Sequence, residues 1–372
     1  MALADIDGDG DLDLYVTHYR AATAKDAPVP VRLRQIDGRW QVPQEHQERF
    51  VAEVNASGDV GILELGEPDA LYINDGKVRF TLASWTEGRF VDEEGKPLNA
   101  PPRDWGLAAM FRDINQDGFP DLYVCNDFYT PDRIWINRSN GTFRAFGALA
   151  IRKTPWASMA VDFSDINRDG LDEIFVAEML SRELERRQTH RSLSELDPMP
   201  SWGWGWRPGD LSSRSQVMRN TLLLNRGDNT FAEIGQFSGV HASDWTWGVT
   251  FLDVDLDGYE DLLIANGHSL DLADSDSVAV LNQIKDPNDP RRRTRIHEVF
   301  KPLHVAKNAF RNRGDLMFQE MGEQWNFNEA SAANGMALAD LDNDGDLDVV
   351  LNNFDAPASI LQNQAAAPRI AI

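Results

Sequence analysis

Acidic side chains recur at alternate positions in five short segments of the sequence. Each segment has Asp at position 1, Asp or Asn at position 3, Asp at position 5, Gly at position 6, and Asp or Glu at position 9. The segments, called acidic loops here, are 5–13, 113–121, 165–173, 253–261 and 340–348. Several hard oxygen donors around one tight turn are the ligands that calcium prefers. One copy alone is also compatible with an ordinary acidic turn, whereas five copies at matching offsets predict about five Ca²⁺ ions per chain.

The predicted side-chain ligands occupy positions 1, 3, 5 and 9 of each acidic loop. They are Asp5, Asp7, Asp9 and Asp13; Asp113, Asn115, Asp117 and Asp121; Asp165, Asn167, Asp169 and Glu173; Asp253, Asp255, Asp257 and Asp261; and Asp340, Asp342, Asp344 and Asp348. The glycine at position 6 gives the chain the freedom to fold back so that position 9 closes the ligand set. Without cations the carboxylates repel one another, so metal loading should be coupled to folding. Because Glu173 replaces Asp, we expect the third loop to bind more weakly than the loops with four aspartates.

The residues after each acidic loop predict strands. An EF-hand needs Glu at position 12 and a following helix, but position 12 here is Val16, Val124, Val176, Ile264 and Leu351. These residues lie in short apolar runs rich in β-branched and aromatic types, which are typical of buried strands. EF-hand and dockerin-like loops are therefore excluded.

A second repeated motif, a strand, an Asn-led turn and another strand, predicts a β-hairpin. The Asn, called the hairpin Asn here, precedes a Phe by six residues in all four clear copies, Asn74 to Phe80, Asn137 to Phe143, Asn225 to Phe231 and Asn312 to Phe318. From the hairpin Asn to the next acidic loop the distance is 28 residues in three cases and 39 in one. The minimal repeat of 52 residues has about four strands, which predicts an all-β fold, a β-propeller of four-stranded blades. A sandwich fits less well because its seams would be harder to keep in register.

Long insertions fall in one connection of the repeat, at about 17–68, 177–219 and 265–307. This connection joins the second strand to the third, whereas the acidic loop and the hairpin turn lie at the other end of the blade. We expect one propeller domain over 1–372, with calcium on one face and a partner on the opposite face, because long loops on a rigid scaffold commonly carry binding sites.

Composition restricts the class of partner. The formal net charge is −24, which argues against nucleic acid or anionic lipid as a partner. The 372 residues are 42% hydrophobic, enough for a large core, and no apolar run approaches a membrane span. Because Met1 leads directly into patterned, charged sequence, we expect no signal peptide in this sequence. The single Cys125 excludes an intramolecular disulfide.

The segments at 244–268 (DWTWGVTFLDVDLDGYEDLLIANGH) and 334–353 (NGMALADLDNDGDLDVVLNN) resemble the FG-GAP/VCBS repeat proteins, the integrin-α-like calcium-binding propellers. They are similar to the branch related to cartilage acidic protein and the ASPIC/UnbV proteins. The resemblance implies an extracellular, cell-surface or periplasmic propeller. It also implies that the backbone carbonyl at position 7 is a ligand, at Asp11, Phe119, Leu171, Tyr259 and Asp346. Because the sequence stops about where the family's C-terminal ASPIC/UnbV domain would begin and Met1 lies inside a predicted first strand, we expect a chain without that domain that is truncated at both ends.

Aromatic and basic clusters outside the acidic loops are weaker candidates. Trp202, Trp204 and Trp206 alternate in a segment that could stack on a sugar or an aromatic partner, although a packed insertion is the simpler interpretation. Trp245 and Trp247 are interpreted as core or blade-edge residues. The arginine run at 291–295 is interpreted as a solvated loop.

Three functions are compatible with the sequence. The leading hypothesis is a calcium-stabilised module outside the cytoplasm that binds a protein or glycan for adhesion, with the partner unknown. The first alternative is a carbohydrate-active enzyme, a lyase or hydrolase, on the same scaffold. The second is a purely structural repeat. No catalytic motif is present, although His268 with Asp271, Asp274 and Asp276 could form an extra metal or catalytic site instead of capping a turn.

Overall fold

The computed structural model describes residues 1–20, 31–54, 60–127, 130–189, 214–284 and 289–365, and these residues are mostly β. Contacts divide the chain into two compact units. The first comprises Met1–Ser158, Arg191–Val217 and Lys285–Asp289, and the second comprises Met159–His190, Met218–Ile284 and Pro290–Ile372. The expectation of one domain over 1–372 stays a prediction.

The first unit contains two larger sheets. One has the order β1-β2-β7-β8, with strands β1 (Ala2–Ala4), β2 (Asp13–Val16), β7 (Ala70–Asn74) and β8 (Phe80–Leu82). The other has the order β10-β11-β12-β13-β9, with strands β9 (Phe90–Val91), β10 (Gly106–Arg112), β11 (Asp121–Asn126), β12 (Arg133–Asn137) and β13 (Phe143–Ala145). The connection from β2 to β7 carries two hairpins and a 3₁₀ turn, formed by β3 (Arg34–Ile36), β4 (Arg39–Gln41), Gln44–His46, β5 (Phe50–Val54) and β6 (Val60–Glu64). A short parallel pair joins β14 (Lys153–Pro155) to β17 (Ser215–Val217).

The second unit contains three more sheets of the same type. Their orders are β15-β16-β18-β19, β20-β21-β23-β24 and β26-β27-β28. The strands are β15 (Ala160–Ser164), β16 (Glu173–Ala177), β18 (Thr221–Asn225), β19 (Phe231–Glu233), β20 (Thr246–Leu252), β21 (Asp261–Asn266), β23 (Asn308–Asn312), β24 (Phe318–Glu320), β26 (Ala333–Ala339), β27 (Asp348–Asn353) and β28 (Ser359–Leu361). Strands β22 (Val305–Ala306) and β25 (Ala330–Ser331) form a separate pair. The described residues of this unit also form four helices, α1 (Leu184–Thr189), α2 (Gly235–Ser238), α3 (Ser275–Leu281) and α4 (Pro290–Val299).

These five sheets are the blades of a β-propeller arrangement, and the predicted hairpin register is confirmed. Each hairpin Asn lies opposite the Phe six residues later, as Asn137 lies opposite Phe143. The prediction of four strands per blade is met in the first, third and fourth sheets. It is wrong for the second sheet, because β9 adds in parallel to β13, whereas the fifth sheet has three strands within the described residues.

The blades pack through apolar strand residues. Every residue of β11 and β21 is buried, which explains why these strands consist largely of apolar residues. In the first unit Leu71, Phe90 and Trp135 belong to one buried cluster that joins its two blades. In the second unit Phe175 and Ile264 share a cluster between the third and fourth blades. Each fully buried large apolar side chain contributes about 1.5–3 kcal/mol.

The arginine run forms part of helix α4, so its interpretation as a loop was wrong. Pro290 is the first residue of the helix, a position where the fixed φ of proline is favourable. Ile296 and Val299 of α4 pack against Val278 and Leu281 of α3. Among the residues that the structure describes, no helix is long and apolar enough to cross a membrane.

Candidate metal centres

All five acidic loops have the same turn, held by the carboxylate at position 1. In the fourth loop the Asp253 carboxylate accepts hydrogen bonds from the backbone N–H groups of Asp257 (2.9 Å) and Gly258 (2.8 Å). The other four loops repeat both bonds, from positions 5 and 6, within 2.8–3.2 Å. The position 5 carboxylate in turn accepts from the backbone N–H of position 7 in every loop. Each loop is therefore pre-shaped by its own side chains.

Two positions of the loop have left-handed backbone conformations. The glycine at position 6 has φ between 86° and 92° in all five copies, which explains why glycine is repeated there. Position 4 is also left-handed and is occupied by Gly8, Gln116, Arg168, Leu256 and Asn343, with φ of 57–61° for the four non-glycine residues. Leu256 is the most strained of these residues, because its bulky side chain is disfavoured at positive φ.

The position 9 carboxylate joins the acidic loop to the hairpin of the same blade. In the second loop, Asp121 accepts hydrogen bonds from the backbone N–H groups of Ile114 (2.9 Å) and Asn137 (2.7 Å). The other loops repeat both bonds within 2.8–3.3 Å. The longer Glu173 reaches the same two kinds of donor, Ile166 and Asn225. Its weaker binding of calcium stays a prediction.

Burial shifts the protonation of these position 9 groups. Desolvation raises the pKa of Asp121 to about 7, that of Asp261 to about 7 and that of Glu173 to about 8. The hydrogen bonds from backbone N–H groups oppose the rise, and the neighbouring loop carboxylates add to it. The calcium-free loops therefore hold their buried carboxyl groups at an electrostatic cost.

Carboxylates of three loops come close enough to share one cation. The oxygens of Asp5, Asp7 and Asp9 lie within 4.8 Å of one another, and the same holds for two further sets. These sets are Asp253, Asp255 and Asp261, and Asp340, Asp342 and Asp344. In the second and third loops Asn115 and Asn167 occupy position 3, and each donates to the position 5 carboxylate at 3.1 Å.

The surroundings of two position 3 oxygens indicate whether a cation would fit these loops. The Oδ1 atoms of Asp7 and Asp255 are buried and have no hydrogen-bond donor within the described part of the chain. A buried carboxylate oxygen without a partner is costly, and a hard divalent cation is the partner that its chemistry favours. The donor set therefore fits calcium.

The hairpin Asn also links neighbouring loops within each unit. In the second unit the Asn312 Nδ2 group donates to the backbone oxygens of Ile166 in the third loop (2.8 Å) and Glu260 in the fourth (3.2 Å). In the first unit Asn137 makes the corresponding bond to the oxygen of Ile6 (2.8 Å). This bond, which recurs in both units, links consecutive acidic loops.

An arginine reaches into the fourth loop. The Arg311 Nε atom lies 2.5 Å from Asp255 Oδ2 and its Nη2 atom lies 2.8 Å from Asp257 Oδ2. A second guanidinium, that of Arg168, lies 4.4 Å from the centre of the Tyr259 ring, next to the same loop. Sequence reasoning missed Arg311, although its position directly before the hairpin Asn was visible.

A buried polar position at the opposite end of the blades was also missed. Asp69, Asp132, Asn220 and Lys307 each precede the third strand of a blade and are at most 7% exposed. Each lies five residues before a hairpin Asn, which is the signal that could have identified them. Asp132 accepts from the Tyr123 hydroxyl at 2.7 Å, and Asp69 from the Tyr15 hydroxyl at 2.9 Å. These contacts brace the second and third strands.

The remaining candidate residues that the structure describes take part in ring stacking, an ion pair and a helix cap. Trp202, Trp204 and Trp206 lie outside the described residues. Trp245 stacks on His268 with ring centres 4.2 Å apart, and Trp247 lies beside both rings. Asp271 pairs with Arg186 at 2.6 Å, and Asp274 caps helix α3 through Ser277.

Comparisons with known proteins agree with the repeat architecture. The family described as FG-GAP-like repeat matches residues 113–176 and 209–264, which include the second, third and fourth acidic loops. None of the curated proteins compared with the chain matches it. Among solved structures, the chain is similar to a lectin of Agrocybe aegerita, studied for specific recognition of non-reducing terminal N-acetylglucosamine. The identity is 12% and the TM-score 0.27, over 86% of this chain and 81% of the lectin. The chain thus contains FG-GAP-like repeats in a mostly β structure with propeller blades.

Proposed function

We propose that this chain is a calcium-stabilised binding module that works outside the cytoplasm. The observation that carries the proposal is the buried Oδ1 atom of Asp7 and of Asp255, each without a hydrogen-bond donor in the described residues and each next to two further carboxylates. Calcium would neutralise the clustered carboxylates and cross-link the turn. Side chains at positions 1, 3, 5 and 9 and the carbonyl at position 7 would hold it. Millimolar extracellular calcium suits loops that are exposed and individually weak.

The insertions are proposed as the partner-binding elements. They connect the second and third strands, so each leaves its blade from the end away from the acidic loop. The hairpin of β3 and β4 in the first insertion carries Ile36, 46% exposed, and Trp40, 45% exposed. Exposed aromatic and branched side chains on a loop favour contact with a protein or a glycan. Trp202, Trp204 and Trp206 in the second insertion are proposed for the same role.

Binding to arrays of immobilised glycans and extracellular matrix proteins tests this division of roles. We expect the calcium-loaded chain to be retained by one of these probes, and we expect deletion of 201–209 or Trp40→Ser to abolish retention. The control is Asp315→Asn in the exposed hairpin turn beside the fourth loop, which should leave retention unchanged. If Asp315→Asn abolishes retention while the deletion and Trp40→Ser do not, the loop face binds the partner. The same conclusion follows if the retained probe coordinates calcium directly. Retention by none of the probes would favour a purely structural repeat.

A further inference from the structure

The residue directly before the hairpin Asn differs between the repeats in a way that affects the acidic loop. It is Ile73, Ile136 and Leu224 in the first three repeats, Arg311 in the fourth and Gln362 in the fifth. In the fourth repeat this side chain reaches the carboxylates at positions 3 and 5. In the fifth, the Gln362 amide donates to the position 3 carboxylate of Asp342. Of these two contacts, the one to the fourth loop is made by a positively charged side chain, that of Arg311.

The guanidinium of Arg311 occupies oxygens that calcium would use. Its two nitrogen contacts, at 2.5 and 2.8 Å, go to different carboxylates, those of Asp255 and Asp257. Neither carboxylate is far from water, since their side chains are 28% and 30% exposed and that of Arg311 is 36% exposed. The second oxygen of Asp255 is buried without a donor in the described part of the chain. The arginine therefore satisfies only part of the ligand set.

We infer that Arg311 is an internal cation of the fourth acidic loop that competes with calcium, so that this loop fills only when the guanidinium leaves Asp255 and Asp257. The inference rests on the proposed function of the loops as calcium sites. A guanidinium beside the metal position repels a divalent cation and withdraws two ligand oxygens from it. In the calcium-free chain the same guanidinium offsets the repulsion among the loop carboxylates. Arg311 thus stabilises the empty loop and lowers the affinity of the loop for calcium.

Calorimetric titration of the metal-stripped chain with calcium chloride tests the inference. Arg311→Leu gives the fourth repeat the residue that the third repeat has at Leu224. We expect one site to bind calcium about tenfold or more tightly in this variant than in the wild type. The matched control is Arg313→Leu, which removes the same charge two residues later, where the guanidinium pairs with exposed Asp315 at 3.2 Å. The control should leave all affinities unchanged.

Thermal melting gives a second readout. Without calcium, Arg311→Leu should melt at a lower temperature than the wild type, because the carboxylates of Asp255 and Asp257 lose their counter-charge. With calcium the two proteins should melt together, so the calcium-induced shift should be wider in the variant. If Arg311→Leu fails to fold, Arg311→Gln, which copies the fifth repeat, should show the same widening.

The outcomes separate the two proposals. If wild type and Arg311→Leu bind calcium with the same affinities, or the variant binds more weakly, the inference about Arg311 is wrong while the loops remain calcium sites. If no protein in the series takes up calcium, the proposed function itself is wrong.

Discussion

Position 4 of the acidic loop shows how a single residue can conflict with the turn that it occupies. Leu256 is left-handed with φ 57°, where a bulky side chain costs about 1–2 kcal/mol. The fifth loop has Asn343 at this position, and Asn tolerates the conformation well. We therefore expect Leu256→Asn to stabilise the chain by about 0.5–1 kcal/mol in urea unfolding without calcium.

A substitution at a glycine in the third loop should change the stability in the opposite direction. Gly170 has φ 86°, and an added methyl group would meet nothing within 4 Å. Gly170→Ala should still destabilise the chain by about 1 kcal/mol, because the cost is backbone strain. A destabilised Leu256→Asn together with a neutral Gly170→Ala would contradict this account of the turn.

Sequence reasoning predicts the loop positions better than the roles of individual side chains. Positions 1, 5 and 6 could be predicted because their function is local to the turn. The bracing role of position 9 could not, since its partner in the first blade, the N–H of Asn74, is 61 residues from Asp13. Arg311 and Asp255 are similarly 56 residues apart. Only the fold brings such pairs together.

The hairpin Asn is the residue through which one element stabilises the next. We expect Asn312→Ala to lower the free energy of unfolding by about 2 kcal/mol, because it leaves the buried carbonyl of Ile166 and that of Glu260 without a donor. The matched variant is Asn74→Ala, whose side chain makes one exposed bond, to the Leu12 oxygen at 3.1 Å. Asn74→Ala should cost less than about 1 kcal/mol. Equal losses in urea unfolding would show that the link between loops adds no stability.

At the scale of elements, the fixed offset from Asn to Phe was sufficient to predict the hairpins and the blade. Helix α4 could not be predicted because four of its residues are arginines in a segment bounded by prolines. Its apolar face, which includes Ile296, can be recognised only once helix α3 is placed, because Val278 and Leu281 of α3 pack against it. Strand β9 escaped prediction for the same reason, since its parallel partner β13 lies about 50 residues away.

The charge of the whole molecule makes its stability depend on pH and calcium together. Asp121, Asp261 and Glu173 have pKa values of about 7, 7 and 8 in the folded chain because of burial, above their unfolded values of about 4. The folded state therefore binds more protons between these limits, so the stability of the calcium-free chain falls as pH rises from about 4 to about 8. Bound calcium keeps the carboxylates charged and removes this loss. The calcium-induced rise in melting temperature should consequently grow with pH across that window.

The central claim is that calcium holds the acidic loops together, and paired melting curves test it most directly. The metal-stripped chain would be melted at about pH 7.5 in excess chelator and in about 1 mM calcium, with magnesium as the control cation. We predict that calcium raises the melting temperature by about 10 °C or more, because several sites bind the folded state alone. Magnesium should raise it much less. Curves that superimpose in calcium and in chelator would contradict the account.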